Sequence, residues 1–290
     1  MTMKSEPNEN TYFIKDSGAE LARLIEQERV FSKALGGWLP EHPDLSTFLA
    51  PFERILDVAC GSGGWGISLA QAYPHLQVEG FDIDKRMINY ANAQVKASRL
   101  DNARFRVMNA LDRLDYPANF FDLVNVRFMA VLPSAAWPSV IQEFMRITRP
   151  GGIIRLTEAE AYSLTNAPAF ETLSGMFLQA FKRTGHGFSP DGRNSGLTPL
   201  LRPLLEKAGC QNVQIRPFVI DWSVGREEHE PIRQDIRVFT QLLQPFIAGT
   251  GVATQEELER LYLQADMEMM SEDFYALWYF LTAWGEKPKP

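Results

Sequence analysis

The sequence predicts an α/β fold in which helices cover both faces of a mostly parallel sheet. Between residues 54 and 158, apolar segments of strand length alternate with segments of helix length. The first predicted strand is followed by a glycine-rich loop at residues 61–66, which leads into a helix. The segments before and after this region are largely helical, and we predict that they are additions to the core.

The first predicted element is an amphipathic helix that precedes the sheet. After a polar start at residues 1–10, Ser17 and Glu20 stand three residues apart, the spacing of a helix-capping box. Apolar residues then recur at helical spacing as far as Leu35, and the glycine pair at residues 36–37 is typical of a helix end. Because this helix comes before the first strand, it is predicted to lie outside the core fold.

The sheet is predicted from five apolar segments of strand length. Strands are expected at residues 54–58, 77–82, 103–108, 121–126 and 153–157, and helices at residues 67–72, 87–98 and 137–147. A turn at residues 150–152 is expected to introduce the fifth strand. Parallel neighbouring strands need a long crossover connection, which is usually a helix, whereas antiparallel neighbours can be joined by a short turn. Strands separated by helices therefore indicate parallel pairing.

The regular alternation ends at residue 158, and helical segments dominate the remainder of the chain. Helices are expected at residues 168–183 and 197–209, largely helical structure at 226–272, and strands at 213–222 and 274–284. The chain is thus divided into an N-terminal helical cap (1–40), a cofactor-binding core (41–158), a lid insertion (159–196), a core continuation (197–225), a helical lid insertion (226–272) and a last strand with tail (273–290).

Composition excludes several classes of protein. The net charge of −7 and the absence of a Lys/Arg run disfavour nucleic acid as a substrate, since binding to it depends on neutralising phosphates. Two distant cysteines, Cys60 and Cys210, predict neither a disulfide scaffold nor a zinc site, and no metal is expected. No apolar stretch approaches the ~20 residues of a membrane span. A cytoplasmic protein is expected, and homodimerisation is left open.

The glycine-rich loop carries the chemistry. Gly61, Gly63 and Gly66 have G-x-G-x-x-G spacing, which dinucleotide-binding loops share. Asp57, four residues before the loop, would repel a pyrophosphate but attract sulfonium and ammonium groups. Asp82 lies about 20 residues beyond the loop, where an acidic side chain meets a ribose diol. The two carboxylates therefore favour a cationic nucleoside cofactor.

Four motifs together resemble those of class I S-adenosylmethionine-dependent methyltransferases, in the branch that acts on small molecules and natural products. They lie at residues 55–69, 80–91, 120–124 and 149–152, and residues 278–288 are similar to the final strand of that branch. The resemblance implies S-adenosylmethionine as the cofactor. It also implies a Rossmann-like, seven-stranded, mostly parallel sheet of order 3-2-1-4-5-7-6, with the last strand antiparallel and helical lid additions.

The resemblance implies ten cofactor-binding residues, which are Asp57, Ala59, Gly61, Gly63, Asp82, Ile83, Met87, Asn109, Ala110 and Arg127. The loop backbone would face the methionyl part, and Asp57 would order the loop or meet the amino group. Asp82 would bind the ribose hydroxyls, while Ile83 and Met87 would pack on adenine. Asn109, which departs from the acidic residue usual in the family, would contact the adenine amine.

Each of these assignments has a structural alternative. Asp57 and Asp82 could serve as capping or turn-forming residues, and Asn109 could be a turn residue. Arg127, which follows the fourth strand, could form a salt bridge instead of lining the methionyl end of the cleft.

The acceptor side carries fewer signals. Residues 125–128 lack the Pro-Pro-aromatic sequence of enzymes that methylate amide or nucleobase nitrogens. The candidates for deprotonating an acceptor are His186, Glu158, Tyr162 and His229, although alignment and desolvation can suffice without a base. The predicted additions are rich in Phe, Met, Leu, Tyr and Trp, which favours a small hydrophobic or aromatic acceptor.

These inferences converge on methyl transfer from S-adenosylmethionine to an O, N or C atom of a hydrophobic small molecule, in specialised metabolism. Methylation of a quinone or lipid is the main alternative. An NAD-dependent oxidoreductase is disfavoured by Asp57, and a non-catalytic binding protein by the intact glycines and Asp82.

Overall fold

The computed structural model describes residues 18–160 and 162–290. The capping residue predicted at Ser17 and the polar start at residues 1–10 lie outside the described residues. The helices are α1 (Gly18–Ala34), α2 (Leu45–Leu49), α3 (Gly64–Ala72), α4 (Lys85–Ala97), α5 (Trp137–Ile147), α6 (Pro168–Arg183), α7 (Leu201–Ala208), α8 (His229–Gly249) and α9 (Gln255–Met269). The strands are β1 (Arg54–Val58), β2 (Gln77–Asp82), β3 (Ala103–Val107), β4 (Phe121–Arg127), β5 (Thr148–Ala159), β6 (Leu164–Thr165), β7 (Gln211–Asp221) and β8 (Ala276–Glu286).

One sheet runs through the described chain in the order β3-β2-β1-β4-β5-β8, with β7 pairing on the far side of β8. Strands β1 to β5 pair in parallel, and β8 is antiparallel to β5. The predicted order and the antiparallel last strand are confirmed. The predicted count of seven is wrong by one, because the two residues of β6 also pair with β8. Both β6 and β7 pair with Leu277, so β6 continues the line of β5 along the same edge of β8.

Several predicted bounds shift for local reasons. Helix α4 begins at Lys85 because the carboxylate of Asp84 accepts the N–H of Arg86 at 2.7 Å, which caps the first turn. The predicted turn at residues 150–152 lies within β5, where the pairing with β4 shifts register between Phe121 and Leu123. The region at 226–272 divides at Thr254, whose side chain caps α9.

Helices cover both faces of the sheet, as alternate residues of β1 show. Ile55 packs among residues of α2 and α3, whereas its neighbour Leu56 packs among residues of α5 and α7 on the opposite face. A third apolar cluster joins α1, α6, α8 and α9 to the start of β8, and it includes Phe31 from α1. The helical additions therefore pack on one another as well as on the sheet.

Close packing between β2 and β3 gives a test of this core. A Cβ at Gly80 would lie 2.6 Å from the ring of Phe105, which is itself buried. We expect Gly80→Ala to lower the free energy of unfolding by about 1–3 kcal/mol through overpacking. Urea denaturation measures this change. The control is Gly175→Ala in α6, where a Cβ meets nothing within 4 Å and should stabilise the helix. Equal stability of the two variants would contradict the packing described for Gly80.

Candidate active site at the carboxyl edge of the sheet

A cavity of about 310 Å³ lies where β1, β2, β4 and β5 end. That volume is within the range of small-molecule sites. Its floor is formed by the strand ends and the loops that follow them, and its roof by side chains of α1, α6 and α8. Nine of the ten cofactor residues predicted from the sequence line this cavity; they are Asp57, Ala59, Gly61, Asp82, Ile83, Met87, Asn109, Ala110 and Arg127. The structure therefore brings nearly all of the predicted cofactor residues together.

The loop after β1 is shaped by left-handed backbone conformations. Ala59, Gly61 and Gly63 have φ values of +51°, +53° and +77°. A Cβ at Gly61 would meet nothing within 4 Å, so this glycine leaves room beside the cavity. A Cβ at Gly63 would lie 2.9 Å from Cβ of Ala91. Gly63 does not line the cavity, and its lack of a side chain allows α4 to pack closely against the loop.

Asp82 connects the end of β2 to the glycine loop. Its two carboxylate oxygens accept the backbone N–H groups of Gly61 and Asp84, each at 2.9 Å. Burial raises the pKa of Asp82, while these hydrogen bonds act in the opposite direction. The turn-forming role considered from the sequence is present, and the carboxylate lines the cavity as well.

The wall beyond Asp82 is mostly apolar. Ile83, Met87 and Ala110 line it, with Met108 beside them. Asn109 uses its side-chain oxygen to accept the backbone N–H of Leu111 at 3.0 Å, which is the turn role considered from the sequence.

Asp57 lies in a row of polar side chains that crosses the sheet. Its partners in register are Asn125 on β4 and, one strand further, Arg155 on β5. The amide nitrogen of Asn125 donates to one oxygen of Asp57 at 3.0 Å, and its amide oxygen accepts from Arg155 at 2.9 Å. Arg155 also forms an ion pair with Glu41, whose side chain is fully buried. The second oxygen of Asp57 has no hydrogen-bond partner among the described residues.

Opposing effects act on the pKa of the Asp57 carboxyl. Burial raises the pKa of its carboxyl to about 7, although Arg127 and Arg155 nearby lower it. A cation at the second oxygen would favour the charged form. A buried, unpartnered carboxylate oxygen is thus available for a cationic ligand.

Helix α1 supplies polar groups that were not predicted. Glu28 forms an ion pair with Arg127, which also donates to Ser32 at 3.2 Å and lies over the ring of Trp65. This salt bridge is the alternative considered for Arg127 from the sequence. Arg127 nevertheless lines the cavity.

A second ion-pair group joins α1 to α8 in the roof. Arg23 donates to Glu20 at 2.8 and 2.9 Å and to Asp235 at 2.8 Å. All three side chains are buried and line the cavity, and the guanidinium of Arg23 lies 5.0 Å from the ring centre of Phe239. The Glu20–Arg23 spacing is visible in the sequence, but Asp235 lies 212 residues from Arg23. No local pattern relates residues so far apart.

The four candidates for deprotonation occupy different places. Glu158 and Tyr162 line the cavity, whereas His186 and His229 are not among its lining residues. His186 contacts the hydroxyl of Thr184 at 2.9 Å, and burial lowers its pKa.

Glu158 and Tyr162 have surroundings that disfavour their charged forms. Glu158 accepts the backbone N–H of Met129 at 2.7 Å, and burial raises its pKa to about 8. Burial also raises the pKa of Tyr162, whose ring packs against those of Phe177 and Phe239.

Within residues 18–160 and 162–290, no three His, Cys, Asp or Glu side chains are grouped so as to hold a metal ion. No helix in those ranges combines the length and apolar character needed to cross a membrane.

Comparisons with known proteins identify a methyltransferase domain in this chain. A family model described as "Methyltransferase domain" matches residues 55–152. The chain is 37% identical over 176 residues to the demethylmenaquinone methyltransferase of Geobacillus kaustophilus, covering 57% of this chain and 74% of that protein. The demethylmenaquinone methyltransferase of Bacillus cytotoxicus is 26% identical over 178 residues, covering 58% and 74%.

Solved structures support the fold. The YcgJ protein of Bacillus subtilis aligns with a TM-score of 0.51 at 15% identity, covering 84% of this chain and 97% of that one. A phosphoethanolamine N-methyltransferase of Haemonchus contortus, solved with S-adenosylhomocysteine, gives 0.53 at 19% identity, covering 93% and 58%. The architecture is therefore the Rossmann-like methyltransferase fold. The family model and the 37% identical relative show that this chain belongs to the class I S-adenosylmethionine-dependent methyltransferases. S-adenosylmethionine is its cofactor.

Asp82 provides a test of the cofactor site. A hydrogen bond to a charged group is worth about 1.5–3 kcal/mol, so Asp82→Ala should weaken S-adenosylmethionine binding by about tenfold to a hundredfold. Isothermal titration calorimetry measures the change. The control is Asp44→Ala, which removes the N-terminal cap of α2 outside the cavity and should leave the affinity unaltered. Equal binding by Asp82→Ala and wild type would remove Asp82 from the site.

Proposed function

We propose that this enzyme methylates an O, N or C atom of a hydrophobic small molecule that carries an aromatic ring. The observation that supports this acceptor class is a set of aromatic side chains in the roof and wall of the cavity, namely Tyr162, Phe177, Phe239, Phe31 and Phe128. Rings in these positions offer stacking and edge contacts to a planar acceptor. Apart from the paired side chains of Arg23, Glu20 and Asp235, a sugar or phosphate would find few hydrogen-bond partners among these rings.

The cofactor roles that we propose follow the sequence assignments. Asp82 binds the ribose hydroxyls, Asp57 meets the amino group, and Ile83 and Met87 pack on adenine. Ala59 and Gly61 leave their backbone accessible to the methionyl part. In support, all of these residues line one cavity.

The remaining predicted cofactor residues receive modified roles. We infer that Gly63 keeps the loop and α4 in contact, since a Cβ there would overlap Ala91. Arg127 shapes the methionyl end as the partner of Glu28. Asn109 holds the turn that carries Ala110 beside the adenine position.

The reaction requires little acid–base chemistry from the chain. When bound, S-adenosylmethionine would supply an electrophilic methyl group: the carbon–sulfur electron pair would stay on sulfur, an electron pair of the acceptor would form the new bond, and any proton lost by the acceptor would pass to solvent. The residues around the cavity bind and align the acceptor and exclude water from it.

A quinone or its reduced form is the second candidate acceptor. Relatives named demethylmenaquinone methyltransferase support this choice, and a naphthoquinol ring is planar and apolar, as the roof requires. Specialised metabolism, a cytoplasmic location and a homodimer remain proposals drawn from the sequence. The division into cap, core and lids is also a proposal, and the apolar cluster shared by α1, α6, α8 and α9 supports it.

An activity screen tests the proposal directly. The enzyme is incubated with methyl-labelled S-adenosylmethionine and reduced naphthoquinones, phenols, indoles, sarcosine or phosphoethanolamine. Label transfer to a planar aromatic acceptor is expected. Transfer confined to the small polar amines would overturn the assignment of an aromatic acceptor.

Phe239 tests the aromatic roof. Phe239→Ala should raise KM for the aromatic acceptor roughly tenfold, because burying a Phe side chain is worth about 1.5–3 kcal/mol. The affinity for S-adenosylmethionine should change less than about twofold. Leu263→Ala, on the exposed side of α9, is the control. A variant with unchanged KM would show that the acceptor does not touch this ring.

Glu158 tests whether the chain supplies a base. We propose that its carboxylate holds the turn after β4 by accepting from Met129, a bond that the side-chain oxygen of Gln can also accept. Glu158→Gln should therefore keep kcat within about threefold, whereas Glu158→Ala should lose more. General bases contribute about 10²–10⁴ in rate, so a loss of that size in Glu158→Gln would assign proton transfer to Glu158 instead.

A further inference from the structure

The polar row across β1, β4 and β5 has a fixed direction. Arginine side chains can only donate hydrogen bonds, so Arg155 requires the oxygen of the Asn125 amide on its side. The amide nitrogen of Asn125 must then face β1, where it donates to Asp57. A single orientation of Asn125 satisfies both neighbours.

The far end of the row is fixed by a second carboxylate. Glu41 lies in the segment between α1 and α2 and forms a two-point ion pair with one edge of the Arg155 guanidinium, through Nε and Nη2, the latter at 3.1 Å. Both side chains are at least nine-tenths buried. Arg155 therefore has little freedom to rotate, and neither has the amide that it holds.

The near end of the row is a carboxylate oxygen with no hydrogen-bond partner, on a side chain that lines the cavity. Asn125 occupies one oxygen of Asp57 and leaves the other without a partner among the described residues, beside the cavity. We propose that Asn125, Arg155 and Glu41 are positioning residues, which hold Asp57 with this oxygen directed at the ammonium group of the cofactor. This inference rests on the proposed role of Asp57 in the cofactor site.

Charge is the second contribution of the row. The ionisable groups that face Asp57 are Arg127 at the end of β4, Arg155 on β5, Glu28 on α1, and Cys60 and Asp82 beside the loop. Both arginines are already paired, Arg127 with Glu28 and Arg155 with Glu41. Arg155 acts mainly through Asn125, and its positive charge makes a smaller contribution that lowers the pKa of Asp57.

The direction of the pH dependence follows from the carboxyl. As the pH rises through the pKa of Asp57, about 7, the carboxylate forms and the affinity for a ligand with an ammonium group increases. Without the charge of Arg155, this pKa rises further, and the increase in affinity moves to higher pH.

Calorimetric binding of S-adenosylhomocysteine between about pH 5.5 and 8.5 tests the inference. Arg155→Met leaves Glu41 buried without a partner and is expected to fold poorly, so the main variant is Glu41→Gln with Arg155→Met, which removes both charges. We expect its affinity midpoint to move to higher pH and its affinity at pH 7 to fall about threefold, because Asn125 is no longer held and one positive charge near Asp57 is lost. Arg155→Lys, which keeps the charge but not the fork, should recover part of the shift.

Two further variants separate the possible failures. Asn125→Asp places a carboxylate against Asp57 and should weaken binding more than the doubly substituted variant does. If the doubly substituted variant keeps the wild-type midpoint and affinity, the row is structural only and the inference fails. If Asp57→Asn also binds like wild type, the fault lies in the proposed role of Asp57 itself.

Discussion

Burying a carboxylate beside the glycine loop is the constraint on which the site depends. A charge removed from water is costly unless polar partners replace its hydration. The neighbouring strands provide those partners, because Asn125 on β4 and Arg155 on β5 are in register with Asp57. This arrangement leaves one oxygen of Asp57 unsatisfied, so the cost of burying it is recovered only in part until a cation binds. If Asp57 meets the cofactor as proposed, the register between three parallel strands serves cofactor binding as well as folding.

Helix α1 makes the two halves of the site interdependent. Its Glu28 pairs with Arg127 at the cofactor end, and its Arg23 pairs with Asp235 of α8 in the roof. The ring of Phe31, one turn beyond Glu28 on the same helix, packs against Phe128, the residue that follows β4 with a φ of +58°. A displacement of α1 would therefore disturb the methionyl end and the acceptor wall together. Both ion pairs are largely buried, so losing either would leave a charge without compensation.

Much of this architecture could be predicted because its signals are local. Each of β1 to β5 contains apolar residues at strand spacing next to glycine or polar turns, and the loop glycines stand at fixed spacing from Asp57 and Asp82. β6 escaped prediction because two residues leave no periodicity. The partners of α1 escaped because helical spacing shows which residues share a face and says nothing about a side chain 212 residues away. The polar row had a visible signal: Asp57, Asn125 and Arg155 each interrupt an apolar strand.

The distribution of charge along the cavity suits the proposed reaction, which needs no strong base. Asp57 and Asp82 lie at the loop, where a cationic cofactor would compensate them, and the ion pair of Arg23 and Asp235 lies in the roof. Between them the wall is aromatic, and burial raises the pKa of Glu158 to about 8, which disfavours its charged form. Because uncompensated charge is absent from this middle section of the described wall, an apolar ring displaces water there at little cost. A desolvated acceptor aligned with the methyl carbon then needs only a short approach, which is the contribution that a rigid, water-excluding cavity can make.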